Sequence, residues 1–344
     1  MTSGHDDEVV NVEAHDAWLD SVVEEVIEPE LPIVDPHHHL WPPGGALPYG
    51  LDELHADVRD GHHIVATVFI ECGAAYRADG DELFAPVGET EFVAAQAARD
   101  EPTLIRGIVA RADLRSDRLD EVLDAREAAG GGRFRGIRHA LSRAIEPEAL
   151  TIPGNAPEGL ASAPNFQRGV RRLGERGLTY DSWHYHYQNR EFLELARAAP
   201  ETTMVLDHFG TPLGVGSFAG RRDEIFDSWR TDIAELAGCP NVVAKLGGLA
   251  MPDNGFGFDQ AEQPPSSATF LAEQRPYYEH TIEWFGADRC MFESNFPVDR
   301  MSLSYRTFWN ACKLLTADLS ADERTALFSA TAARVYRLDL DLTS

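Results

Sequence analysis

At 344 residues and a net charge of −27, the chain has room for one large α/β domain or two medium ones. Its acidity excludes nucleic acid and anionic membrane as natural partners, because both would repel it. Four scattered cysteines, Cys72, Cys239, Cys290 and Cys312, show no C-x-x-C pair or zinc-knuckle spacing, which reads as reduced thiols in a cytoplasmic protein.

Residues 1–30 read as a polar N-terminal arm that could reach a neighbouring copy in a homo-oligomer, with no apolar run of signal-peptide or membrane-span type. From Leu31 onward, eight short runs rich in Val, Ile, Leu and Phe follow one another: "LPIVDPHHH", "HIVATVFIE", "TLIRGIVARADL", "FRGIRHAL", "LTYDSWHYH", "TTMVLDHFG", "NVVAKLGG" and "RCMFESNF". Amphipathic stretches such as "GETEFVAAQAARD", "RLDEVLDAREAAG" and "NREFLELARAAP" separate them. This alternation predicts a parallel sheet, and eight units favour a closed (β/α)8 TIM-like barrel over residues 31–344. A doubly wound sheet is the alternative, but no G-x-G-x-x-G follows an early strand, and the glycines of "AGGGRF" read as a helix cap or loop. Two long connections, Glu146 to Phe166 and Met251 to Ser267, are expected to hang over the C-terminal face. Ser320 and Glu323 form a capping box for a structural C-terminal helix.

In such a barrel the chemistry sits at the C-terminal strand ends. The runs end in His37 and His39, Glu71, Arg138 and His139, His184 and His186, Asp207 and His208, and Glu293 and Asn295. A strand alternates its faces, so His37 and His39 share one side and His38 takes the other. Each residue also has a plainer reading: His139 on a backbone carbonyl, Glu71 or Glu293 paired with Arg138, Lys245 in an ion pair. Convergence of so many imidazoles and carboxylates on one face favours a site for one or two divalent ions.

"DPHHHLW", "RGIRH", "LDHFGTPLG" and "FESNFPVD…ATAARVY" resemble the amidohydrolase-related, lactonase-like branch of the amidohydrolase superfamily from about Leu31 to Leu338. The resemblance implies the barrel, a site at its C-terminal mouth, and roles for His37, His39 and His208 in gripping a metal or a substrate carbonyl. Some members hydrolyse lactones without metal. The family segment that reads like G-S-D-W-P is "ESNFP" here, so Asn295 stands where a hydrolytic Asp is expected, and an amide is no general base. Glu293, on the same strand face, is the substitute base or a metal ligand.

With His37, His39, Glu71, His139, His186, His208 and Glu293 as ligands, the set also resembles the non-haem di-iron monooxygenases of this fold. His37 and His39 would hold one iron, His186 (or His184) and His208 the second, with Glu71 or Glu293 bridging and Asp207 orienting an imidazole. Hydroxylation of a small organic substrate, with O2 and an external electron donor, is thus the leading expectation. Hydrolysis of a lactone or related ester, with zinc or with no metal, is the alternative, and a non-catalytic binding barrel the third. Arg138 and Lys245 are candidates to neutralise a substrate anion, and Trp41, Trp183 and Tyr185 to floor an apolar pocket.

Overall fold

A computed structural model describes residues 12–100 and 104–341; the start of the expected arm, residues 1–11, lies outside them. Eight strands run in chain order as one parallel sheet: β1 (Pro32–His38), β2 (His63–Ile70), β3 (Ile105–Ala110), β4 (Phe134–Arg138), β5 (Thr179–Ser182), β6 (Met204–Leu206), β7 (Val242–Leu246) and β8 (Cys290–Phe292). The seam between β1 and β8 is bridged beyond the end of β8, where His38 pairs with Phe296 and the His39 N–H donates to the Phe296 carbonyl at 2.8 Å. Helices follow the strands on the outside, so the fold is a (β/α)8 barrel.

Burial explains why these runs became strands. Each alternates an outward residue packed under the helices with an inward one. Val34, Val68, Val109, Val205, Val243 and Met291 point inward and form a core of their own, separate from the larger outer core. The C-terminal helix Thr331–Val335 and the following Tyr336 and Leu338 pack against that inner layer. From there the Tyr336 hydroxyl donates to Asp181. The tail is therefore part of the support beneath the site.

The described part of the arm, with its helix Val12–Leu19, lies on its own barrel rather than reaching away from it. Asp16 pairs with Arg300 at 2.9 Å, the Trp18 indole donates to the Ala261 carbonyl, and Glu24 accepts from Ser267. The capping box at Ser320 and Glu323 is present, and Gly130 caps the helix Leu119–Ala129. No helix among the described residues is long and apolar enough to cross a membrane.

The two long connections meet over the C-terminal mouth. Asp253, in the second, accepts from the N–H groups of Thr151 and Ile152, at 2.6 and 3.1 Å, in the first. The Tyr185 hydroxyl accepts from the Gly154 N–H at 2.7 Å. Loops of this length are held in place only where such anchors replace regular structure.

Candidate active site

The inward parity that builds the inner core continues one step further along six strands. Two residues beyond Val109, Gly136, Thr179, Val205, Val243 and Met291 stand Arg111, Arg138, Asp181, Asp207, Lys245 and Glu293. A period of two thus converts an apolar barrel interior into a charged layer at its C-terminal end.

At the centre of that layer, His37, Asp207 and His208 each offer a ligand atom, all within 4.8 Å of one another. Glu293 joins them: its Oε1 lies 2.7 Å from His208 Nδ1 and its Oε2 2.7 Å from His37 Nδ1. Lys245 enters from below, 3.1 Å from Asp181, 3.2 Å from Asp207 and 3.2 Å from His37 Nδ1. Burial alone would push this ammonium down; Asp207, Asp181 and Glu293 together outweigh it and hold its pKa above the ordinary lysine value. Burial, reinforced by the Lys245 charge, lowers the pKa of His37 well below its usual value, which keeps the imidazole neutral.

These residues fit a divalent metal ion. Both Asp207 oxygens and Glu293 Oε2 are buried without a hydrogen-bond partner among the described residues, although charged groups lie nearby. The 2.7 Å approach of Glu293 Oε2 to His37 Nδ1 is a contact, not an aligned hydrogen bond. Buried acceptors left this way are costly unless something else satisfies them. Even with Asp181, Asp207 and Glu293 all ionised, the three carboxylates exceed the Lys245 ammonium by two charges. One divalent ion cancels that excess.

The backbone makes room for this cluster at a cost. His208 sits at φ 54°, in the left-handed region, inside a tight turn after β6. Its ring lies against Gly248, where a Cβ would come within 2.2 Å of Nδ1. Only glycine at 248 lets the imidazole lie beside Glu293.

Above the cluster lies a pocket of about 840 Å³. Arg138, His39, Glu71 and His139 line it, whereas His37, Asp207, His208 and Glu293 lie beneath. Arg138 joins the two layers: its Nε donates to Glu71 Oε1 at 3.0 Å, another nitrogen to the Glu71 carbonyl, and NH1 to His37 Nε2 at 3.3 Å. His39 donates from Nδ1 to the Ile70 carbonyl at 2.8 Å, since a carbonyl can only accept, and Nε2 keeps its lone pair. Burial and then the Arg138 charge lower its pKa well below the usual histidine value.

The structure does not bring every expected ligand together. His186 accepts from the Leu213 N–H at 3.2 Å, with its ring against Phe218 and Tyr187 and off the pocket wall. His184 is closed off by Ser182 at 2.9 Å and Asn189 at 3.1 Å. His139 accepts from the Leu114 N–H at 3.3 Å, and burial first, then the Arg111 charge, push its pKa down to about 3. Glu71 is taken by Arg138 and Lys245 by Asp181 and Asp207, the plainer readings for both. His38 packs outward against Phe69. Tyr185 anchors a loop, and Trp41 and Trp183 are in the pocket wall.

Asn295 is also turned from the pocket: its Nδ2 donates to Asp299 Oδ1 at 2.8 Å. Burial raises Asp299 to about 7, partly opposed by that bond. The folded state therefore holds this proton more tightly than the unfolded chain, and its stabilising contribution declines as pH rises from about 4 to 7. Asn295→Asp removes the donor and sets two carboxylates side by side. The variant should lose about 1–3 kcal/mol of stability, with the gap in Tm to the parent wider at pH 8 than at pH 5. A variant as stable as the parent at pH 8 would contradict this geometry.

A (β/α)8 barrel with a His and Asp cluster at its C-terminal mouth is an arrangement suited to metal-assisted chemistry. Residues 34–338 match the amidohydrolase family model, and the chain belongs to that family. It is 32% identical over 330 residues, 90% of this chain and 99% of the other, to the uncharacterized protein y4mH of Sinorhizobium fredii. It is 29% identical to an L-fucono-1,5-lactonase of Burkholderia multivorans, covering 73% of this chain and 81% of that one. A crystal structure of an amidohydrolase from Burkholderia multivorans with bound zinc superposes with a TM-score of 0.68 at 26% identity, covering 89% and 99% of the two chains.

The chain is thus an enzyme of the amidohydrolase family. The expectation of a di-iron monooxygenase, with O2 and an electron donor, is overturned: the relatives matched include two named L-fucono-1,5-lactonases and a solved amidohydrolase at 26% identity. Its physical error was to count ligands without counting charge or direction. His186 faces elsewhere, Glu71 is bound by Arg138, and the Lys245 ammonium already lies against Asp181 and Asp207.

Proposed function

We propose that the protein hydrolyses a lactone or a related cyclic ester, with one divalent ion, zinc by analogy with the solved relative, held by His37, Asp207 and His208 and supported by Glu293. The observation that carries this reading is the stacking of a roomy pocket directly on that cluster, joined to it through Arg138. When bound, the ion supplies a Lewis acid that polarises an oxygen and eases deprotonation of water.

The protein's own groups divide the remaining work. Arg138, fixed by Glu71, donates to the ester carbonyl as negative charge develops on its oxygen. His39, with a free lone pair at Nε2, takes a proton from the attacking water. The water oxygen bonds to the acyl carbon, the ring C–O bond breaks, and His39 returns the proton to the departing oxygen, giving a hydroxy acid. Glu293 clamps the His37 and His208 rings and takes no proton from the pocket, because it lies beneath the floor. Asn295 has no part in the proton transfer.

Dihydrocoumarin and L-fucono-1,5-lactone test the reading. At least one should be turned over, with loss on chelation and recovery with zinc. Failure of the zinc-loaded protein to open either ring, alongside O2 consumption by an iron-loaded form, would count against it.

A further inference from the structure

Glu89 is a buried carboxylate that touches none of the reacting groups. It stands in the first turn of the helix Val87–Arg99, enclosed behind the pocket wall rather than in it. Its Oε1 accepts from the N–H groups of Cys72 at 3.0 Å and Ala74 at 2.8 Å, and its Oε2 has no hydrogen-bond partner among the described residues. β2 ends at Ile70, so these two amides lie past the sheet, and the carboxylate does for them what a neighbouring strand would do. Helix and loop are in close contact: Ala75 turns through φ 53°, and a Cβ on Gly88 would lie 2.4 Å from the Ala75 carbonyl oxygen.

The start of that helix is fixed in turn. Arg126, fully buried on the helix Leu119–Ala129, donates to Thr90 Oγ1 at 2.6 Å and to the carbonyls of Pro86 and Arg111, both residues of the pocket wall. Glu89 therefore projects from a rigid support.

The peptide between Glu71 and Cys72 links this support to Arg138. It is trans and planar, so its N–H and C=O point in opposite directions from one plane. On one side the Cys72 N–H donates to Glu89 Oε1; on the other the Glu71 carbonyl accepts from Arg138, whose Nε also donates to Glu71 Oε1. Tilting that plane would move the acceptor on which the guanidinium rests, and hydrogen bonds in line polarise one another.

We propose that Glu89 is a positioning residue for Arg138, acting from behind the pocket wall through the peptide between Glu71 and Cys72. The proposal rests on the hydrolase reading for what Arg138 does to the substrate, and goes beyond it in what holds Arg138 in place. Reach matters here more than charge. Burial first, then the Glu71 charge, push the Glu89 carboxyl up to about 7, and two N–H groups need only an acceptor oxygen, which an amide also has.

Glu89→Gln keeps the reach and drops the charge; Glu89→Asp keeps the charge and falls one methylene short. On zinc-loaded protein with dihydrocoumarin or L-fucono-1,5-lactone, Glu89→Asp should lower kcat by roughly 10–100-fold, with little change in KM or bound zinc, and Glu89→Gln should stay close to the parent. In an Arg138→Ala background the loss from Glu89→Asp should vanish, because the group it positions is gone. The Arg138 Nε–H signal in NMR, assigned by its absence in Arg138→Ala, gives a readout without turnover: it should exchange with solvent at least tenfold faster in Glu89→Asp and not in Glu89→Gln. In the unaltered protein the Cys72 and Ala74 amides should exchange at least tenfold more slowly than that of exposed Gly80 in the same connection, a check that needs no variant to fold; equal exchange overturns the anchor. A Glu89→Asp variant as active as the parent, or one whose loss persists undiminished without Arg138, overturns the proposal and leaves the hydrolase reading standing. If neither lactone is opened, the hydrolase reading fails, and the Arg138 signal decides for Glu89: faster exchange in Glu89→Asp supports the positioning role, unchanged exchange overturns it.

Discussion

Glu293→Gln is expected to weaken metal binding and to lower kcat/KM on a lactone by roughly 10–100-fold each, while the barrel stays folded. The carboxylate makes two contacts of 2.7 Å, to His37 and to His208, and also accepts from the His208 N–H at 3.2 Å. An amide of the same shape can still accept through its oxygen. Its NH2 would meet the other imbalanced side of the clamp, and one negative charge of the cluster is gone. Lys245 keeps Asp181 and Asp207, so no ammonium is left bare, and the loss of stability should stay near 1–3 kcal/mol. Elemental analysis after dialysis, with a thermal melt as control, checks this. Full metal retention by a folded variant would show that the ion is held elsewhere.

Arg138→Ala tests the pocket side of the site. Removing a preorganised donor to a developing oxyanion costs about 10²–10³ in kcat, or ~3–4 kcal/mol, and the same loss is expected here with a smaller effect on KM. Arg138→Lys keeps a charge but cannot span Glu71 and His37 together, as the guanidinium does through Nε and NH1. It should recover only part of the lost kcat. Because Glu71 is left with less support in either variant, a thermal melt must accompany the kinetics. An unchanged kcat in folded Arg138→Ala would place the carbonyl elsewhere.

The barrel was legible because each strand is announced by a short β-branched or aromatic run and each helix by a longer amphipathic one. The alternation of "PHHHL" read correctly too: His37 turns to the cluster, His39 to the pocket wall, and His38 to Phe69. Period two fails where a strand stops. β5 ends at Ser182, so His184 and His186 lie on a turning backbone, and counting by twos from the strand gave them a direction they do not have. Arg138 and Lys245 looked like candidates for a substrate anion because their partners come from other strands, 67 and 64 positions away in sequence.

Arg111 was missed for a different reason. It follows Val109 by two in "GIVARADL", the same signal that marks Lys245 after Val243 in "VVAKL". Applying that rule to every strand would have found it and Asp181. The role of Gly248 could not have been found this way, since its importance is the space it leaves for a ring from another turn. Nor does residue type reveal that the Lys245 ammonium lies within 3.2 Å of Asp207, a fact of packing that sets the charge balance of the cluster.

The most direct test is to titrate metal-free protein with zinc while following dihydrocoumarin opening and bound metal together. The structure predicts that activity rises linearly and stops at one zinc per chain, with His208→Ala binding far less and recovering little. Activity that saturates only at two metal ions per chain, or that needs iron and O2, would contradict a one-ion hydrolase.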